Sequence, residues 1–191
     1  IFHGQSERNQ TFIRGDYQHN NSNNFSWVFL NSVAKYQIPT APNGAVDPSG
    51  TVLPLLQASR PGFTPVASQD IDENQKENNQ YGHMVWRHDV NSANFFSLSG
   101  YFRQTRATFR TDPFNLLAYT ADPAEPFSAA SQDRSAYSGG VRLDHTYIPN
   151  KEHVIKTGFQ VDRTQTVNKT RLFTFADDGA GNPTGNVLGL D

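Results

Sequence analysis

Cysteine is absent from this 191-residue chain, which excludes disulfide frameworks, thiolate metal sites and cysteine nucleophiles together. No run approaches the length of apolar sequence that a membrane-crossing helix needs. Charge bias is missing too: 16 Lys and Arg against 18 Asp and Glu leave a net charge of -2, which gives no reason to expect nucleic acid or an acidic lipid surface as partner. Ile1-Phe2-His3-Gly4 offers no charged and then apolar leader, and Gly189-Leu190-Asp191 closes the chain just after a Gly/Asn-rich stretch. A piece of a larger protein is the expectation.

The apolar content is low, at 36% with a mean hydropathy of -0.63, for a compact core of this length. Yet 14 Phe, 7 Tyr and 2 Trp are too many aromatics for a disordered chain. A sequence both polar and aromatic suits strands with one greasy and one wet face. Six such patterns are legible at the period of two that a strand imposes.

Thr11–Gln18 sets Ile13, Gly15 and Tyr17 against Arg14, Asp16 and Gln18. Phe25–Tyr36 follows, apolar on both faces through Phe25-Ser26-Trp27-Val28-Phe29-Leu30. Tyr81–Val90 opposes Met84 and Trp86 to His83, Arg87 and Asp89, with Val85 breaking the alternation. The fourth pattern is the clearest: Phe96, Leu98, Gly100 and Phe102 face away from Ser97, Ser99, Tyr101 and Arg103. Ala136–Ile148 sets Tyr137, Gly139, Val141, Leu143 and Tyr147 against Ser138, Gly140, Arg142, Asp144 and Thr146. In the sixth, Ile155, Thr157, Phe159 and Val161 oppose Lys156, Gly158, Gln160 and Asp162, and the strand extends toward Phe175.

Connection lengths alternate. His19–Asn24, Asn91–Asn94 and Pro149–Glu152 are tight, whereas Gln37–Gln80, Asp112–Asp133 and Val167 to the end are long and rich in Gly, Pro, Asn and Asp. In an antiparallel row every second connection lies at the same end, so the short ones gather at one end and the long ones at the other. That asymmetry is typical of outer-membrane β-barrels. The fold expected is all-β: an antiparallel meander of about six amphipathic strands, part of a transmembrane β-barrel.

Stacking the patterns puts Arg14, Asp16, Arg87, Asp89, Arg103, Arg142, Asp144, Lys156 and Asp162 on a common polar side. A wet lumen tolerates mixed charges that a packed core would not; the solvated face of a one-sided sheet is the competing reading. Tyr17, Phe25, Phe96 and Tyr147 sit near short turns, and Tyr36, Tyr81 and Tyr137 near long loops, where interfacial girdles of a barrel belong.

The hairpin Ser135-Ala136-Tyr137-Ser138-Gly139-Gly140-Val141-Arg142-Leu143-Asp144-His145-Thr146-Tyr147, its turn, and Glu152-His153-Val154-Ile155-Lys156-Thr157-Gly158-Phe159-Gln160-Val161-Asp162-Arg163 resemble the barrel wall of a TonB-dependent outer-membrane receptor. Ser97-Leu98-Ser99-Gly100-Tyr101-Phe102-Arg103-Gln104-Thr105 is similar in style. The resemblance covers most of this chain but a minority of such a receptor, whose barrel is large and plugged. It implies an outer-membrane location, surrounding lipid, energised import of a scarce nutrient (a siderophore, a cobalamin or an oligosaccharide) and TonB acting through a plug domain that has no counterpart here. It carries no site residue across.

The remaining candidates are loop aromatics: Phe63, Phe114, Tyr119 and Phe127 are those expected to touch a ligand, with self-packing of the loops as the competing reading. His83 and His88 have opposite parity and make no metal pair. Asp177-Asp178-Gly179-Ala180-Gly181-Asn182 lacks the spacing of a calcium loop and reads as turn chemistry. Glu73 and Glu77 have no aromatic walls around them for glycoside chemistry. No catalysis and no cofactor is expected. A secreted or periplasmic β-sandwich that binds carbohydrate or protein stands as the alternative, supported by the doubly apolar Phe25–Leu30 run. A plugless porin-like channel is a third reading. Taken alone, six strands would leave open edges and associate edge to edge.

Overall fold

The computed structural model describes residues 3–40, 46–120 and 124–190. The expectations for Ile1, Phe2 and Asp191, and for the parts of the two long loops at 41–45 and 121–123, lie outside the described residues.

The three short turns share one chemical device. Asn20, Asn91 and Asn150 each accept, through Oδ1, the backbone N–H two residues on: Ser22 at 2.9 Å, Ala93 at 2.9 Å and Glu152 at 3.0 Å. The side-chain amide thus closes an Asx turn. His3 is the one described non-glycine residue with positive φ, so these turns lack the left-handed pair that matches hairpin twist. A register shift just before each turn, at Gln18/Asn20, Asp89/Asn91 and Tyr147/Asn150, absorbs the mismatch.

From these turns run β1 (Ser6–Asn20), β2 (Asn23–Gln37), β3 (Asn74–Asn91), β4 (Asn94–Arg110), β5 (Ala129–Asn150), β6 (His153–Asp177) and β7 (Pro183–Leu190). They form one sheet in chain order, antiparallel throughout, curled into a half-barrel meander. The sequence reading of six strands is corrected to seven. Residues after Val167 are not a loop: β6 runs on to Asp177, turns through Asp178–Asn182 and returns as β7. Pro183 hides that return in the sequence, yet a proline is tolerated as the first residue of a strand. Gly179 and Gly181 take left-handed φ values of 83° and 86° in the turn, as the Asp178 carboxylate accepts the Ala180 and Asn182 N–H groups. Strands β3 and β5 also begin earlier than Tyr81 and Ala136, because polar residues at their starts keep β pairing without the greasy stripe.

The register settles the faces. Directly opposed residues share one face, and the row Tyr17, Phe25, Trp86, Leu98, Leu143 and Phe159 runs unbroken across six strands. Beside it run Gly15, Trp27, Met84, Gly100, Val141 and Val161. Gly15 and Gly82 leave room for bulky neighbours: a Cβ on either would meet the Trp27 or the Phe102 ring at under 2.5 Å. Among the described residues no protein layer covers this apolar face. Phe159 is 68% exposed, Val141 55%, Phe102 48% and Leu143 44%. A greasy sheet face left in water is an unstable arrangement, and a soluble domain buries it under a second layer. Among the described residues there is one sheet and no second one.

What core exists sits at the long-loop end. Val52, Leu56, Ile71, Leu116, Tyr119, Ala129 and Phe175 are buried together there. The loop from 38 to 73 contributes helix α1 (Val52–Ser59), with Pro54 in its first turn, where the missing N–H costs nothing. Asp47 caps this helix from outside, its carboxylate accepting Leu53 N–H at 3.0 Å as well as the N–H groups of Ser49 and Gly50. Ser59 Oγ donates to the Pro183 carbonyl and so ties α1 to β7.

Candidate functional site

Two surfaces qualify: the polar face of the sheet and the cap over its long-loop end. On the polar face the register aligns all nine charged residues singled out from the sequence. Arg14, Asp16, Arg87, Asp89, Arg103, Arg142, Asp144, Lys156 and Asp162 lie on one side, opposite the greasy rows. Three of the pairs are the same local motif on different strands. Arg14 Nε lies 3.0 Å from Asp16, Arg87 Nε 2.8 Å from Asp89 and Arg142 Nε 2.7 Å from Asp144. In each, two residues along a strand return to the same face, so arginine and aspartate stand side by side. Every pair is at least partly exposed, and such pairs contribute little stability.

Glycines shape this face. The ring of Tyr101 lies beside Gly140, where a Cβ would sit 2.7 Å from Cε1, and Asp144 lies beside Gly158, where a Cβ would sit 2.8 Å from Oδ1. Arg87 stacks over the Phe95 ring at 4.4 Å. The surface is therefore a mosaic of both charge signs, hydroxyls and rings laid flat. It can exchange hydrogen bonds with water or a polar solute at many points and holds none of them tightly. His83 faces this side and His88 the other, as their parity demands. Val28, Leu30, Tyr81 and Val85 also face this side, which places half of the doubly apolar Phe25–Leu30 run on the wet surface.

At the short-turn end the opposite, apolar face carries rings with polar tips. Tyr17 stacks on Phe25 and Phe25 on Trp86, each at 6.4 Å, and Phe96 lies 4.4 Å from His145. The tips reach turn asparagines: Trp86 Nε1 donates to Asn23 Oδ1 at 3.0 Å, and His145 Nε2 meets Asn94 Oδ1 at 2.8 Å. At the other end Tyr137 shares the apolar face, but Tyr36 and Tyr81 lie on the polar side. Their parity in the sequence already carried that distinction. From Tyr137 to Tyr147 the strand covers about 33 Å, or about 23–27 Å in height at a barrel's tilt, close to the apolar band of an outer-membrane barrel.

The four loop aromatics converge on one another. Tyr119 stacks on Phe175 at 5.3 Å, while Phe63 and Phe114 approach the same ring at 6.3 Å. Phe127 packs against the same cluster. Tyr119 is only 5% exposed and gives a ligand little to touch; the other three are part-buried. Burial, with Asp112 nearby, pushes the Tyr119 phenol upward in pKa, and its hydroxyl finds no hydrogen-bond partner among the described residues. Glu73, paired with Glu77 in the sequence reading, is a buried cap residue that accepts from Thr111 Oγ1 at 3.1 Å. Phe175, the hub of the cluster, went unmarked in the sequence because it ends a long polar stretch. No helix among the described residues is long and apolar enough to cross a membrane, and none of their His, Asp and Glu side chains gather into a metal-binding group of three. No protein-family model matches the sequence, and no curated protein matches it.

Proposed function

We propose that this chain is a wall segment of an outer-membrane β-barrel, part of a TonB-dependent receptor that imports a scarce nutrient. The observation that carries the reading is the apolar face: six strands bring their greasy residues into register on one side, bounded by rings at the short-turn end and by Tyr137 at the other, with no protein over it among the described residues. Lipid is the cover that suits such a face, since hydrocarbon replaces the missing layer. The polar face then lines the conduit, where paired charges remain hydrated. The cap at the long-loop end would form the outer mouth, rigidified by its own core, with nutrient contact falling to the cap's exposed surface rather than to Tyr119. TonB would act through a plug domain outside this chain.

Uptake is the test. Cells making the complete protein are offered labelled iron chelates, cobalamins and oligosaccharides, with and without a protonmotive force. Import of one class that stops when the force is collapsed supports the receptor reading. Import that continues unaltered points instead to a passive channel, and a fully soluble product found outside the membrane would sink both.

A further inference from the structure

The apolar face does not end where its greasy rows end. The same register carries it up the strands, beyond Tyr137, into a strip of cations. Arg106 lies one row past Tyr137; Lys35, Lys76 and Lys169 share the next row; Arg110 lies in the one after. At two residues per row and a barrel's tilt, these rows stand about 5, 10 and 14 Å above the edge of the greasy band. The headgroup zone of a bilayer, about 5–8 Å thick on either side of the hydrocarbon, takes in the Arg106 row directly, and the long flexible stems of the Lys and Arg side chains in the two rows above reach down toward it.

The strip is electrostatically incomplete. Lys35 and Lys76 stand directly opposite each other across β2 and β3, a placement that destabilises a sheet unless an anion lies between them. Two acids share this part of the face. Glu7 reaches Lys35 at 3.7 Å, and Asp133 takes Arg106, whose Nε donates at 2.9 Å. Lys76 and Arg110 make no ion pair among the described residues. Lys35, Lys76, Arg106 and Arg110 line an open groove of about 520 Å³ together with Asn74, Asn78 and a single acid, Asp133, which is engaged by Arg106. On the polar face, by contrast, three arginines each have their own aspartate two residues away.

We propose that this strip holds the phosphate groups of anionic lipid headgroups in the leaflet on the long-loop side. The inference rests on the membrane reading above and deepens it. The position argues for lipid rather than cargo: a nutrient moving along the polar face never meets these side chains, whereas a headgroup above the greasy band must. Guanidinium and ammonium groups on flexible stems suit phosphate oxygens at varied depths.

The experiment is flotation of the complete protein, in which this chain is one stretch of wall, with phosphatidylcholine vesicles, and with the same vesicles containing phosphatidylglycerol. Each cation near a charged surface strengthens association about fivefold, so the double substitution Lys76→Gln, Arg110→Gln should lower partitioning onto anionic vesicles about thirtyfold and leave neutral vesicles unaffected. A charge-matched control, Arg8→Gln with Arg134→Gln, removes two cations from the opposite face of the same sheet and should change far less. The proposal is overturned if the first pair retains its anionic preference or the control loses as much. Abolition by inorganic phosphate at matched ionic strength also overturns it, because the site would then take the free anion. Equal binding to both vesicle types sinks the headgroup strip and leaves the membrane reading standing. Binding to neither sinks both.

Discussion

Val141→Arg turns the central question into a measured free energy. Val141 sits mid-height on the apolar face, 55% exposed, opposed by Gly100 on β4 and by Val161 on β6. Arginine there has open space to extend and no native contact of consequence to break. In water such a surface exchange changes stability by no more than about 0.5 kcal/mol. Facing the middle of a bilayer, the same guanidinium costs roughly 2–4 kcal/mol, a 30- to 800-fold shift in the folding equilibrium. Tyr137→Arg, four residues up the same strand at the edge of the band, should cost only about 0–1 kcal/mol. Reversible denaturant unfolding of the complete protein in lipid vesicles provides the assay, and Trp27 and Trp86, both on the apolar face, contribute to the fluorescence signal. The reasoning is refuted if Val141→Arg and Tyr137→Arg cost the same, or if both are neutral.

Three smaller perturbations test the rest of the architecture. A Cβ at Gly140 would lie 2.9 Å from the Val161 carbonyl oxygen, so Gly140→Ala should destabilise by about 1–3 kcal/mol, whereas Gly100→Ala, with nothing nearer than 3.8 Å, should shift the unfolding midpoint far less. Leu56, wholly buried in the cap, should cost about 2–5 kcal/mol on replacement by alanine; hydrogen exchange should show the loss in the cap while β3–β5 stay protected. Asp47 is partly desolvated, which raises its pKa, but the Leu53, Ser49 and Gly50 bonds outweigh this and hold the carboxyl below its usual range. The folded pKa is thus below the unfolded one. Its support for α1 is complete above about pH 4 and fades as the pH falls through the folded value. Asp47→Asn should abolish that acid dependence in amide protection of the helix.

Strand parity was fully legible. The alternation in Phe96-Ser97-Leu98-Ser99-Gly100-Tyr101-Phe102 fixes which side chains share a face before any coordinates exist, and all nine charged residues fell where period two sends them. The starts of β3 and β5 were not legible, because Asn74–Gln80 and Ser131–Ser135 hold β pairing with polar side chains on both faces and have no hydrophobic period to read. The cap was hidden for a different reason: Val52, Leu56, Ile71, Leu116 and Phe175 meet across long separations, and no local pattern announces such contacts. The cationic strip is harder to read: only Lys76 lies in a segment that reads as loop, but Lys35, Arg106, Arg110 and Lys169 stand on strand stretches beyond the greasy stripe, where no hydrophobic period marks the face they share.

One topological detail has a consequence for assembly. Strand β7 pairs with β6 only over Leu172–Asp177, so among the described residues one flank of the longest strand has no neighbour from His153 to Arg171, and β1 leaves the other flank of the sheet equally bare. In hydrocarbon each solitary amide or carbonyl costs several kcal/mol, and alternate residues along both flanks present one of each. The sum is far beyond the few kcal/mol by which any protein is stable. A sheet of this outline therefore cannot wait within the bilayer for its seam to shut. On the membrane reading proposed above, crossing the bilayer and zipping the last strands together are a single event.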